Sequence, residues 1–192
     1  MLDLLLTLPV FLALLPLLLI LALLVKLQDG GSIFFVQKRV GRQGRPFGFY
    51  KFRTMVPNAH KMGPAVTQGK DPRITPVGRW LRKTKLDELP QLLNVIKGDI
   101  SLVGPRPEVE KYVNIFKTDY REILQVKPGI TDYATLEYRD EEKVLEAYPN
   151  PEEGYIQEVL PHKIELYKKY ISEISLSTDL AILFKTLWRI IA

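Results

Sequence analysis

Lys85-Leu-Asp-Glu-Leu-Pro-Gln-Leu-Leu-Asn-Val-Ile-Lys-Gly-Asp-Ile-Ser-Leu-Val-Gly-Pro-Arg-Pro107 is the stretch whose reading decides the fold. Leu86, Leu89, Leu92, Leu93 and Ile96 recur at helical spacing, so one face packs on a core. Pro90 is tolerated only in a first helical turn. The helix is therefore expected to start near Asp87, a good N-cap type, and to stop at Gly98. A short apolar run, Ser101 to Val103, then leads into Gly104-Pro-Arg-Pro107, where Pro105 and Pro107 stiffen the backbone around Arg106.

The adjacent acids Asp87 and Glu88 carry the chemistry of the stretch. Neighbouring helical residues point about 100° apart, so the two carboxylates need not share a proton. A helix start favours an ionised Asp87, available as a nucleophile or a metal ligand while Glu88 holds a divalent ion. The competing reading is that Asp87 caps the helix and Glu88 complements its dipole.

The chain has 192 residues, no cysteine, and two histidines, His60 and His162, far apart in sequence. That excludes disulfides and Cys-ligated metals and argues against a His-based zinc site. The net charge of +5 is unevenly spread. Between Lys26 and Lys85 there are fourteen Lys/Arg against Asp29 and Asp71, whereas from Leu86 onward the balance is acidic. A basic front half behind an apolar segment suggests anionic lipid, phosphate-bearing substrate or nucleic acid as partner.

Leu4 to Val25 is almost wholly apolar and close to the roughly 20 residues that a spanning helix needs. It lacks the basic start and small-residue cleavage site of a signal peptide. Cations begin at Lys26, which places that end in the cytosol. Pro16 interrupts the run. Taken alone, the segment reads as a kinked crossing helix, with a helix-break-helix returning through one leaflet as the alternative.

Ser32 to Val40 and Pro46 to Thr54 read as a hairpin turning at Gly41 to Gly44, with Phe47, Phe49, Lys51 and Arg53 on one face. That face holds a nucleotide or phosphates, or else lies on lipid headgroups. Residues 56–76 read as an exposed loop with His60 a loop residue. Val77 to Lys83 begins a short basic helix whose Trp80 suits either an interface or the core. Glu108 to Val126 is expected as one amphipathic helix and Lys127 to Thr131 as a Pro-Gly loop. Glu137 to Glu153 reads as a solvated acidic segment and Tyr155 to Ile174 as a helix. In Leu176 to Ala192, a basic amphipathic helix places Leu180, Leu183, Phe184, Leu187, Trp188 and Ile191 on one face, for a membrane surface or for the core. Nothing divides residues 28–192 by composition. The expected organisation is 1–27 as a membrane helix and 28–192 as one catalytic domain.

The motifs also carry a resemblance. A Pro-broken membrane segment, Lys51-Phe-Arg-Thr-Met55, Leu86-Asp-Glu-Leu-Pro-Gln through Asp99, Ser101-Leu-Val-Gly-Pro-Arg-Pro107 and Pro128-Gly-Ile-Thr131 occur in order. Together they resemble the bacterial sugar transferases, the monotopic phosphoglycosyl transferases, over almost the whole chain. The resemblance implies an α+β, mainly helical fold with a Pro-broken re-entrant membrane helix, a small β-hairpin and amphipathic interfacial helices around a cytosolic core. It implies an enzyme that moves a sugar-1-phosphate from a UDP-sugar to polyprenol (undecaprenyl) phosphate, releasing UMP, at the start of surface glycan assembly.

It also implies a covalent aspartyl intermediate and Mg²⁺, with Asp87 as nucleophile and Glu88 as the metal-linked acid. Arg106, flanked by Pro105 and Pro107, would contact the nucleotide or its phosphates; Lys51 and Arg53 would neutralise phosphate charge; Asp179 matches an aspartate of the C-terminal helix. The break would fall at Pro16 with both helix ends cytosolic, on the cytoplasmic face of a bacterial inner membrane. Membrane lipid, no nucleic acid, and a possible homodimer complete the expected partners. Two departures stand out: Leu15 precedes Pro16 where relatives often have Ser, and Asp132-Tyr133 follows Pro-Gly-Ile-Thr where many have Gly-Trp. Two other readings compete: a Mg²⁺-dependent phosphatase acting on polyprenyl diphosphates, and a non-catalytic basic anchor protein.

Overall fold

The computed structural model describes residues 2–59, 62 and 71–191. His60 and part of the loop expected over 56–76 lie outside the described residues. The fold is α+β and mainly helical, with a two-stranded antiparallel hairpin, as expected. Contacts gather the chain into two compact units, Met1–Gln37 with Gly48–Lys97, and Lys38–Phe47 with Gly98–Ala192.

In the first unit, helix α1 (Leu2–Asp29) contains Pro9 and Pro16. Pro16 has no N–H to give to the Leu12 carbonyl, which marks a point where the helix can bend. One stripe faces inward: Thr7, Leu18, Leu21 and Val25 are buried, and Phe11 and Leu14 are partly so. The other sides stay apolar yet exposed, with Leu5, Leu12, Leu19, Ile20, Leu23 and Leu27 all more than half accessible. Strands β1 (Phe34–Val40) and β2 (Pro46–Phe52) form the hairpin, whose tip, residues 38–47, belongs to the second unit. Phe52 joins Leu18, Leu21, Val25 and Leu81 in this unit's core.

Helix α2 (Pro76–Thr84) starts cleanly: the Thr75 hydroxyl accepts from the Gly78 N–H at 2.9 Å, and Pro76 occupies the first turn. Lys85 then takes a left-handed conformation, φ 58°, which ends α2 and starts a 3₁₀ turn over Leu86–Glu88. Helix α3 (Gln91–Lys97) follows, and Gly98 at φ +82° stops it as expected. Asp87 is therefore not the cap of a long helix. It sits inside the 3₁₀ turn, which has no side-chain cap, because Pro90 defers the α-helical ladder to Gln91.

The second unit departs further from expectation. Glu108 to Val126 is two helices, α4 (Glu110–Ile115) and α5 (Lys117–Ile123), separated where Phe116 leaves helical geometry (φ −106°, ψ 40°). The core reading of its stripe holds, since Tyr112, Val113, Tyr120 and Ile123 are buried. The expected Pro-Gly loop carries a strand: β4 (Gly129–Thr131) pairs in parallel with β3 (Ser101–Val103), Ser101 opposite Gly129 and Val103 opposite Thr131. A Cβ on Gly129 would stand 2.2 Å from the Gly104 backbone nitrogen, so this approach needs glycine.

Short helices α6 (Tyr133–Glu137), α7 (Glu141–Leu145) and α8 (Pro151–Gly154) lead through a π turn (Tyr155–Val159) into α9 (Leu160–Ser172). Leu160, Ile164, Tyr167 and Tyr170 bury one face of α9. The last helix, α10 (Leu176–Ile191), sets Ile182 and Leu183 inward with Val103 and Tyr170. Its Leu176, Leu180, Phe184, Leu187 and Trp188 remain exposed, so that face does not pack on the core. Trp80 is exposed too, against the core alternative.

Candidate active site

Asp87 is 6 % exposed, and its Oδ1 makes no hydrogen bond. Burial pushes its carboxyl above the usual carboxylate range; Lys51 opposes that, the adjacent Glu88 adds to it, and Arg82 and Lys85 oppose it. An acid held this way resembles a site kept for something that arrives later, because a buried acceptor without a donor costs about 1–3 kcal/mol. Glu88 points differently. Its Oε1 accepts from the Lys51 Nζ at 2.7 Å, with both side chains about a quarter exposed.

The scaffold beneath explains how Lys51 reaches Glu88. Asn94, wholly buried on α3, accepts from the Tyr50 N–H at 3.1 Å and donates to the Gly48 carbonyl at 2.7 Å. Both ends of one carboxamide thus fix β2 against α3, and the next residue along β2 is Lys51. Arg53 goes elsewhere. Its guanidinium clasps both oxygens of Asp29 at the end of α1 and donates to the Ser32 and Met55 carbonyls. In this arrangement it fastens α1 to the hairpin. Arg82 donates to the Thr54 hydroxyl at 2.9 Å. Sequence reasoning passed over Arg82, Lys85, Asn94 and Gln91; the last three had only a place in the same stretch as the acids as a signal, and Arg82 lay in the basic helix before it.

In the second unit, Arg106 stands on the loop after β3, between buried Pro105 and Pro107. Its backbone N–H donates to Asp132 Oδ2 at 3.2 Å, and its guanidinium donates to the Ile130 carbonyl at 3.2 Å. Asp132 also caps α6 by accepting from the Thr135 N–H at 2.7 Å. So the Asp after Pro-Gly-Ile-Thr is a buried brace for the Arg106 loop. Behind that loop, Glu108 accepts from Arg39 at 2.7 Å and from the Tyr155 hydroxyl at 2.6 Å. Arg39 also donates to the Pro107 carbonyl. Burial alone would raise the Glu108 carboxyl, but Arg39, Lys163 and the Tyr155 hydroxyl outweigh it and hold it low. Asp179 accepts from the Tyr170 hydroxyl at 2.8 Å, and that hydroxyl also lies 3.4 Å from the Val103 carbonyl on β3.

Metal ligation can be judged from the donor set. Among the described residues, no three His, Asp or Glu side chains converge on one point. Asp87 and Glu88 provide two neighbouring carboxylates, one with a buried oxygen lacking any partner. That suits Mg²⁺, which takes one or two carboxylates and fills its octahedron with water and phosphate oxygens.

Comparison with known proteins gives the family. The bacterial sugar transferase family model matches residues 1–192. The exopolysaccharide production protein ExoY of Sinorhizobium fredii is 36 % identical over 200 residues, covering 96 % of this chain and 81 % of that protein. A UDP-N-acetylgalactosamine-undecaprenyl-phosphate N-acetylgalactosaminephosphotransferase of Aeromonas hydrophila is 38 % identical over 179 residues, covering 90 % of this chain. The UDP-glucose:undecaprenyl-phosphate glucose-1-phosphate transferase of Escherichia coli is 37 % identical over 183 residues, covering 91 % of this chain. The chain spans only 38 % of the Aeromonas protein and 36 % of the Escherichia one. With a family model matched from end to end, the chain belongs to the bacterial sugar transferase family.

Proposed function

We propose that this protein transfers a sugar-1-phosphate from a UDP-sugar to polyprenol (undecaprenyl) phosphate, in the first membrane-linked step of surface glycan assembly. The observation that carries this reading is Asp87, buried with an unpartnered Oδ1 beside the Lys51–Glu88 pair. An Asp87 oxygen attacks the sugar-bearing β-phosphorus. The bond from that phosphorus to the bridging oxygen breaks, and UMP leaves with the electron pair. The acyl phosphate so formed holds the phosphosugar. A polyprenol phosphate oxygen then attacks the same phosphorus, and the Asp87 carboxylate is released unchanged.

Lys51 offers positive charge to the phosphoryl oxygens as negative charge moves through the transfer. Arg106 takes the nucleotide or its phosphates in this reading, on the strength of its Pro-Arg-Pro motif. Glu88, with Asp87, would hold Mg²⁺, which supplies charge neutralisation on the diphosphate.

The reading places the protein on the cytoplasmic face of a bacterial inner membrane, with α1 re-entrant about Pro16. Thr7 supports that topology. A straight α1 would carry Thr7 roughly 30 Å from Gln28, a full hydrocarbon thickness. Yet Thr7 is 1 % exposed, so protein covers the helix near both of its ends.

The test uses purified protein in nanodiscs, a panel of UDP-sugars, polyprenol phosphate and Mg²⁺. UMP and polyprenyl diphosphate sugar are expected, with a phosphosugar adduct mapping to Asp87 when acceptor is withheld. Release of inorganic phosphate from polyprenyl diphosphate would favour the phosphatase reading, and normal turnover by Asp87→Asn would sink the covalent route. Cysteine labelling at an added N-terminal residue, if possible only from the periplasm, would exclude the re-entrant topology.

A further inference from the structure

Pro105-Arg106-Pro107 has one N–H among three residues, so no ladder of backbone bonds can hold it on both sides. Each residue is nevertheless gripped by a different element of the second unit. The Pro105 carbonyl accepts from the Gly129 N–H on β4 at 3.0 Å. The Arg106 N–H goes to Asp132 Oδ2 at 3.2 Å, and the Pro107 carbonyl accepts from Arg39 Nη1 at 3.1 Å. The first grip is main chain to main chain. The other two depend on side chains, and Arg39 brings its own from β1, 68 residues away along the chain.

Arg39 is itself aimed. The same Nη1 that serves Pro107 donates to Glu108 Oε1 at 2.7 Å. Glu108 is buried, its Oε2 accepts from the Tyr155 hydroxyl at 2.6 Å, and its Oε1 also accepts from the Val109 N–H at 2.8 Å. Both of its oxygens are thus held without Arg39. The main chain repeats the contact, for the Val40 N–H donates to the Glu108 carbonyl at 2.9 Å. Farther along the hairpin tip, the Gln43 N–H donates to the Leu124 carbonyl at 2.8 Å and Arg42 Nε to the Gln125 carbonyl at 2.9 Å. Arg39 therefore reaches the loop from a fixed base. As a stabilising device a buried ion pair is a poor choice, because apolar side chains of similar volume often serve as well. As a positioning device it fits: one nitrogen links a loop carbonyl to a carboxylate fixed on both oxygens.

We propose that Arg39 is a positioning residue for Arg106: by bonding the Pro107 carbonyl, with Glu108 and Tyr155 setting its direction, it holds the Pro-Arg-Pro loop in the conformation that presents the Arg106 side chain to a nucleoside diphosphate. A recognition side chain works only if its backbone is held to about 0.5 Å, and losing one of three grips lets this loop swing about the other two. Gly129 and Asp132 hold its first half and Arg39 its second, so the grips do not duplicate one another. The inference rests on the reading that Arg106 meets the nucleotide or its phosphates for its consequence in catalysis, but not for the hold on the loop.

The test uses the full chain in nanodiscs. Arg39→Met combined with Glu108→Gln removes the donor to Pro107 and leaves no buried charge unpaired, since Lys163 keeps Glu141 at 2.6 Å. Arg39→Lys keeps a donor and the charge and serves as the rescue. The first readout is amide hydrogen exchange. In the double variant, residues 104–108 are expected to exchange about tenfold faster or more with α5 and α9 unchanged, because a local opening is freed and not the global one. Arg39→Lys is expected to recover most of that protection. The second readout is initial-rate kinetics. KM for the UDP-sugar rises about fivefold or more with kcat within about twofold, and beside Arg106→Ala the same two substitutions change KM by less than about twofold. Unchanged exchange in 104–108 overturns the proposal. So does faster exchange spread equally over α5 and α9, which would make the pair a fold-stabilising one. So does a KM effect that persists in full beside Arg106→Ala. If Arg106→Ala itself leaves KM unchanged, or the parent turns over no UDP-sugar, it is the transferase reading that fails, and exchange in 104–108 alone still decides whether Arg39 holds the loop.

Discussion

At the scale of single residues, the charges of the two units answer different needs. Asp87 is buried, with one oxygen unpartnered, at a cost to folding. Burial raises its carboxyl in the folded chain, so the unfolded chain releases that proton first. Stability associated with Asp87 is therefore full below the unfolded carboxylate value and is lost as pH rises through the folded one. Asp87→Asn should melt higher than the parent at neutral pH, with the gap closing on acidification. It should also lose turnover by at least about 10³-fold. A melting point below the parent's at pH 8, read by calorimetry, would contradict the buried-charge account.

Glu108 has the opposite sign. Arg39, Lys163 and the Tyr155 hydroxyl hold its carboxyl low against burial, so its contribution is present above the unfolded value and fades as pH falls through the folded one. Glu108→Gln leaves Arg39 without its buried anion and should cost about 3–5 kcal/mol in denaturant unfolding near pH 7. Lys51→Met separates catalysis from stability. Its pair with Glu88 is partly exposed, so unfolding free energy should move by no more than ~1 kcal/mol. Turnover should fall by about 10²-fold or more if Lys51 meets the transferring phosphoryl group. Equal kcat in parent and variant would remove that role.

At the scale of elements, backbone geometry decides what sequence reading passed over. Gly98 marked the end of α3 because it acts through its own backbone, by a left-handed φ. Pro90, through its missing N–H, fits in sequence a first turn starting near Asp87 and instead defers the helix to Gln91. The break at Phe116 had no such mark; it is set by which side chains find the core, and Tyr112 and Tyr120 are both buried across it. Strand β4 was hidden for a related reason. Three residues that begin with the glycine of a Pro-Gly pair show no period, and Gly129–Thr131 becomes a strand only because Ser101–Val103 lies alongside. The acids of the site were legible as a pair in one stretch, and their surroundings were not. Nothing in Asn94 or Gln91 distinguishes in sequence the amide that is satisfied from the one that is not. Arg53 shows the same limit, for its position beside Lys51 suggested phosphate, while its partner is Asp29, 24 residues upstream.

The β3–β4 pair gives a sharp check on this account. Gly104 and Gly129 approach so closely that a methyl group at position 129 meets the Gly104 nitrogen at 2.2 Å and its carbonyl oxygen at 2.6 Å. Gly129→Ala should destabilise by about 1–3 kcal/mol, since the clash is with backbone and not a flexible side chain. Because the Arg106 loop leaves β3 at this point, KM for the UDP-sugar should rise more than kcat falls, measured by initial rates across the sugar panel. An alanine variant as stable as the parent would mean the strands part more easily than the geometry implies.

At the scale of the whole molecule, each unit carries one helix that offers apolar side chains to its surroundings. In the first it is α1, long and apolar enough to cross a membrane, with leucines exposed on every side but one. In the second it is α10, where Phe184 and Trp188 are 69 % and 64 % exposed beside Lys185 and Arg189. A water-soluble chain rarely leaves two large aromatics one turn apart in the open, and a lipid surface gives both the rings and the flanking cations a partner. The inner face of α10 is tied down independently: Thr186 meets Thr131 on β4 at 2.7 Å, and Asp179 accepts from Tyr170. Outer and inner faces can therefore be altered separately. Changing Phe184 and Trp188 to Ser should leave the unfolding free energy within about 0.5 kcal/mol, because neither ring packs on the core. Each lost ring removes roughly 1.5–3 kcal/mol of apolar transfer, so partition of the double variant onto vesicles of anionic and zwitterionic lipid should weaken tenfold or more. The residual binding, held by α1, should resist salt, whereas the part owed to Lys185 and Arg189 should fade as ionic strength rises. Unchanged partition in the double variant, at any salt, would assign the exposed face of α10 to a protein partner, with a second copy of the chain the first to test by sedimentation.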